Sequence, residues 1–78
     1  MYSTYTLSAL GQGEAATISS LETVGAMRRR LMDIGLTPGS VVRSLFRSSC
    51  GDPTAYLIQG AVIALRREDA DTVIIDPI

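Results

Sequence analysis

A small, mainly β domain curled into a barrel, with one true helix, is the fold this sequence predicts. Three observations carry that expectation. The chain has 78 residues, enough for one domain, residues 1–78, and one modest core. Five short segments, 14–20, 41–48, 54–59, 61–65 and 72–76, are rich in apolar and β-branched residues and bounded by Gly, Pro, Asp or Ser, as strands are. One stretch, 23–34, instead repeats apolar residues at spacings of three and four, the period of a helix. Five short strands and one helix in so short a chain favour a curled barrel over a doubly wound sheet.

Taken in order, Thr6 to Leu10 reads as a single helical turn ended by Gly11-Gln12-Gly13. Glu14 to Ser20 is the first strand, with Ala16 and Ile18 on one face and Thr17 and Ser19 on the other. Thr23 is the expected N-cap of the helix, because Val24, Met27, Leu31 and Ile34 follow at helical spacing and a threonine hydroxyl can satisfy a free N–H of the first turn. Gly35 falls one residue past the last apolar position, where helices often end in a positive-φ residue that glycine supplies without steric cost. Pro38-Gly39 presets a type II turn, proline fixing φ at its second position and glycine supplying positive φ at its third. Strands then run from Val41 to Ser48 and from Thr54 to Gln59, joined by the loop Ser49-Cys50-Gly51-Asp52-Pro53. Gly60 marks a bulge or tight bend before the strand Ala61 to Leu65. The carboxylates of Arg66 to Asp71 suit the first turn of a short helix, and Thr72 to Asp76 closes the fold as the fifth strand.

Composition narrows the function classes. The net charge is −1, and all seven cations are arginine. With no histidine and one cysteine, the ligands of a zinc or iron–sulfur site and the base of a nucleophile–imidazole pair are missing. An oxygen site from Glu68, Asp69 and Asp71 is the remaining cation option, and carboxylates in a first helical turn are usually solvated. No glycine-rich stretch carries a lysine into a helix start, so no phosphate cradle is expected. Cys50 excludes an internal disulfide, and its neighbour Asp52 is expected to raise its pKa. No apolar run approaches the length of a membrane span, and the stretch Met1 to Tyr5 lacks the features of a signal peptide, which predicts a cytoplasmic protein without membrane insertion. Nucleic acid is a poor partner for an acidic chain, despite Arg28-Arg29-Arg30.

Four spaced motifs, Leu7-Ser8-Ala9-Leu10 followed by Gly13-Glu14, the run from Arg30-Leu31-Met32-Asp33-Ile34-Gly35 to Leu36-Thr37-Pro38-Gly39, Gly51-Asp52-Pro53, and Gly60 with Ala64-Leu65-Arg66, together resemble the FeoA family, ferrous iron transport protein A. The resemblance spans nearly the whole chain in order. It implies an SH3-like barrel in the bacterial cytoplasm, with no enzymatic activity and no cofactor, that assists the FeoB-type membrane ferrous-iron transporter through its cytoplasmic, GTP-binding part. Any nucleotide site would then belong to that partner. Ala61 departs from the pattern, since the family usually shows a tyrosine after Gly60.

The expected contact surface lies on the second half of the helix and the turn after it, with Arg28, Met32 and Leu36 as its members. Thr23, Gly35, Pro38, Gly39 and Gly60 are expected to act as caps and turns. Val41 and Leu57 fall on the outward side of their strands and suggest a second apolar contact. Weak self-association is compatible with so small a domain. The alternative is a stand-alone SH3-like adaptor related to the C-terminal domain of iron-dependent repressors, holding a peptide or partner domain.

Overall fold

The computed structural model describes residues 5–78, so the reading of Met1 to Thr4 as lacking a leader lies outside the described residues. Among the described residues there are six strands: β1 (Tyr5–Thr6), β2 (Ala15–Leu21), β3 (Val41–Arg47), β4 (Thr54–Ile58), β5 (Ala61–Leu65) and β6 (Val73–Pro77). A 3₁₀ turn covers Leu7–Ala9, and the helices are α1 (Gly25–Asp33) and α2 (Arg67–Ala70). All strand pairs are antiparallel, in the order β1-β6-β2-β3-β4-β5. The end strands β1 and β5 do not pair with each other, so the barrel is open.

One strand more than expected is found, because β1 is only two residues long and carries no periodic signal. It exists through its pairing with β6, Tyr5 opposite Ile75 and Thr6 opposite Ile74.

Two bulges re-phase the strands. Pairing of β2 with β6 shifts between Ile18 and Ser20, which lets both Ile18 and Leu21 face the core although they are three apart. Pairing of β3 with β4 shifts between Ser44 and Phe46. Val42 and Ser44 therefore point inward, while Phe46 shares the outer face with its partner Ala55.

Inside the curl, Leu7, Leu10, Ile18, Val42, Ile58, Val73 and Ile75 form the core. Helix α1 adds Leu31 to it, with Met27, Ile34 and the β5 residue Ile63 packed against the same cluster. Val24, expected in the helix stripe, is 81% exposed and takes no part.

The two ends of α1 are built differently. Thr23 is not the N-cap: that position is Val24, with no side-chain cap, and Gly25 opens the helix with φ +68°. Thr23 is instead buried, its hydroxyl hydrogen-bonded to that of Thr72, because the Glu22 N–H donates to the Thr72 carbonyl and carries the β2–β6 ladder past the strand end. The C-terminus is fully closed. The Gly35 N–H donates to the Met32 carbonyl and the Leu36 N–H to the Leu31 carbonyl, both at 3.0 Å, the paired bonds of a Schellman motif with Gly35 at φ +109°. The Pro38-Gly39 turn follows as expected, with Gly39 at φ +91° and the Ser40 N–H donating to the Thr37 carbonyl. Gly60 occupies a tight hairpin bend, since Gln59 and Gly60 both have positive φ between the paired residues Ile58 and Ala61, as a type I′ turn requires.

Candidate interaction surface

The expected surface on α1 is only partly available. Leu36 is 0% exposed, packed in the core beside Leu31 as the apolar contact of the Schellman motif, and it is therefore corrected from a partner contact to a core residue. Arg28 is exposed, yet its guanidinium Nη1 donates to the Leu21 carbonyl at 2.8 Å and ties the helix to the end of β2. Met32 remains exposed, and Gly25, Arg28, Arg29, Met32 and Asp33 line a shallow groove of about 400 Å³.

A larger apolar area lies on the outside of β3, β4 and β5. Cross-strand pairing sets Arg43, Leu57 and Val62 side by side, and beside them Phe46, Ala55 and Ala64. Val41, two residues before Arg43, extends this face. Val41, Phe46 and Val62 are 55%, 56% and 61% exposed. At one end of this face Val41, Arg43, Leu57, Gln59 and Gly60 border a shallow depression of about 500 Å³. The only charge among these positions is Arg43, whose guanidinium donates to the Gly13 carbonyl at 2.7 Å. Val41 and Leu57 were legible from alternation. Phe46 was not, since regular alternation from Val42 and Ser44 would turn it inward, and only the bulge at Leu45 turns it out.

The remaining polar groups offer little chemistry. Among the described residues no three His, Cys, Asp or Glu side chains gather as a cation would need, and Asp71 is engaged by the Ser8 hydroxyl. The Cys50 thiol is exposed, and its pKa is lowered: hydrogen bonding by the Ser48 hydroxyl is the largest cause and outweighs the opposing Asp52 charge. That reverses the expected direction, because hydrogen bonds at the sulfur outweigh a solvent-screened carboxylate. Tyr56 is buried, with its phenol donating to the Leu7 carbonyl at 3.4 Å and its pKa raised by that burial. Among the described residues no helix is long and apolar enough to cross a membrane.

The FeoA domain profile matches residues 5–77. A fusion of Fe(2+) transport protein A with the Fe(2+) transporter FeoB from Porphyromonas gingivalis is 34% identical over 64 residues, which cover 82% of this chain and 8% of that protein's length. The solution structure of FeoA from Chlorobium tepidum superposes with a TM-score of 0.89 at 32% identity, covering 95% of this chain and 70% of that one. FeoA from Stenotrophomonas maltophilia, crystallised with zinc and described as a prokaryotic SH3 domain protein, superposes at 0.83 with 29% identity, covering 92% and 89%. A manganese-dependent transcriptional repressor shares the fold at 0.86, with 20% identity over 43% of its own chain. The six-stranded open barrel is therefore the SH3-like fold, and this chain belongs to the FeoA family of domains linked to ferrous iron transport.

Proposed function

We propose that this chain is a non-catalytic accessory domain of bacterial ferrous iron transport, which docks on the cytoplasmic part of a FeoB-type transporter through the outer face of β3, β4 and β5. The observation that carries the reading is the apolar face itself: Val41, Phe46, Leu57 and Val62 stand outward on three adjacent strands of a chain with little catalytic chemistry. Such a face on so small a domain is the mark of a protein contact. The P. gingivalis relative supports the choice of partner, since it joins the two proteins in one polypeptide. A cytoplasmic location comes with that partner. Met32 on α1 is a second, smaller contact in this reading, with Arg28 at its rim.

Titrating the purified cytoplasmic domain of the transporter from the same genome with this chain tests the reading. Parent protein should bind, Val41→Glu and Phe46→Glu should each weaken binding by at least about tenfold, equivalent to 1.4 kcal/mol, and Met32→Glu should weaken it less. Absence of binding by the parent, or equal binding by both β3 variants, overturns it. The alternative adaptor role, suggested by the fold shared with the repressor, would show as capture of a peptide or regulator domain in place of the transporter.

A further inference from the structure

Among the described residues, strand β5 is an edge with none of the usual protection. Its residues Ala61-Val62-Ile63-Ala64-Leu65 are all apolar, without charge or proline, and they pair with β4 in five unbroken positions. Natural edge strands are normally blunted by shortness, a bulge, lysine or proline. The opposite edge, β1, is two residues long and needs no such device.

We infer that β5 pairs antiparallel with β5 of a second copy of this chain, around a two-fold axis at Ile63. Hydrogen-bond parity allows it. The two-residue turn Gln59-Gly60 makes Ile58 and Ala61 a hydrogen-bonded pair, so Ile63 and Leu65 also bond to β4, while Val62 and Ala64 turn their N–H and C=O groups to the free edge. A two-fold axis at Ile63 sets Val62 opposite Ala64 of the second copy, and Ala64 opposite its Val62. Those are the residues whose groups are free, and the arrangement forms four N–H···O bonds.

The side chains are self-complementary in the same register. Ala61 meets Leu65 of the second copy and Val62 meets its Ala64, small against large each time. Ile63 meets its own counterpart at the mouth of a cleft of about 430 Å³ between α1 and β5, lined on the helix by Met27, Arg30, Leu31 and Ile34. Arg66 falls opposite Gly60 and Arg67 opposite Gln59, so no like charges pair across the two strands. Repulsion at those positions would have argued for a foreign strand; its absence favours a second copy. The apolar outer faces then run on from one copy to the next. The pairing does not depend on which protein the outer face meets.

Sedimentation equilibrium from micromolar to about 1 mM chain, with amide hydrogen exchange at both ends of that range, tests it. The weight-average mass should rise from 8.3 kDa toward twice that value. Exchange at Val62 and Ala64 should slow at least tenfold with concentration, while the Ile63 and Leu65 amides, already bonded to β4, stay constant. Val62→Pro removes an outward donor and leaves the β4 ladder intact, so it should remain a monomer at every concentration with an unchanged far-ultraviolet dichroism spectrum. A parent that stays monomeric, association that survives Val62→Pro, or exchange at Val62 and Ala64 indifferent to concentration each overturns the inference. Should Val62→Pro fail to fold, the exchange data on the parent decide alone.

Discussion

Leu36 and Val62 are both aliphatic residues one or two positions beyond a positive-φ glycine, Gly35 or Gly60, yet Leu36 is wholly buried and Val62 is largely exposed. The difference lies in what the glycine does. Gly35 closes a helix, and the Schellman bonds turn the next residue back onto Leu31 and into the core. Gly60 closes a hairpin, and the residues after it alternate between the two sides of a sheet, so Val62 falls on the outer side with Leu57. A glycine stop alone does not set the burial of its successors in the chain; the element it terminates decides.

Four substitutions probe that contrast, and the largest effect belongs to the helix end. Leu36→Glu should destabilise by about 4 kcal/mol or more, because it buries an unpaired carboxylate in the core. Chemical denaturation measures it, and a variant that melts with the parent would return Leu36 to the surface. Next comes Gly35→Val, at about 2–3 kcal/mol. Its Cβ would come within 2.5 Å of Gln59 Cγ and 3.1 Å of Ile58 Cγ2, in addition to the strain of φ +109°. Gly35 thus also lets the helix end approach the β4–β5 turn.

Tyr56→Phe, on the inner side of β4, should cost about 0.5–1 kcal/mol at neutral pH through its long hydrogen bond. Its clearer signature is alkaline. Burial raises the Tyr56 phenol above its ordinary value of 10.0, so the folded state keeps the proton where the unfolded chain has lost it. That contribution is intact below about pH 10 and is lost as the pH rises from there through the folded value. Stability should therefore fall above pH 10 in the parent and fall less steeply in Tyr56→Phe, as urea midpoints taken at successive pH values would reveal.

The smallest effect is expected outside. Val62→Thr keeps a β-branched side chain on an exposed strand position and should change stability by less than about 0.5 kcal/mol. A loss as large as that of Gly35→Val would mean that the outer face is covered within the monomer.

On the inner side, the Ser44 hydroxyl is buried at 1% exposure with no hydrogen-bond partner among the described residues, where β3 carries a small residue opposite Tyr56. Alternation from Val42 sets Ser44 on the inner face, yet it does not tell that the hydroxyl is left without a partner there.

Local rules in the sequence determined most elements of this protein. Periodicity marked five of the six strands and the one long helix, and glycine and proline placed its C-cap, the type II turn and the β4–β5 bend, because those conformations depend on φ values that only particular residues accept. Shared motifs carried the family and its SH3-like fold. The tertiary structure alone decided the rest. Thr23 left the cap position because a hydroxyl across the sheet, on Thr72, was the partner at hand. Phe46 turned outward because a bulge, visible only once β3 meets β4, advanced the strand by one residue. Two-residue β1 formed because β6 was already there to receive it. Each is a long-range contact, and a residue's own neighbours in sequence hold no record of which strand will lie beside it.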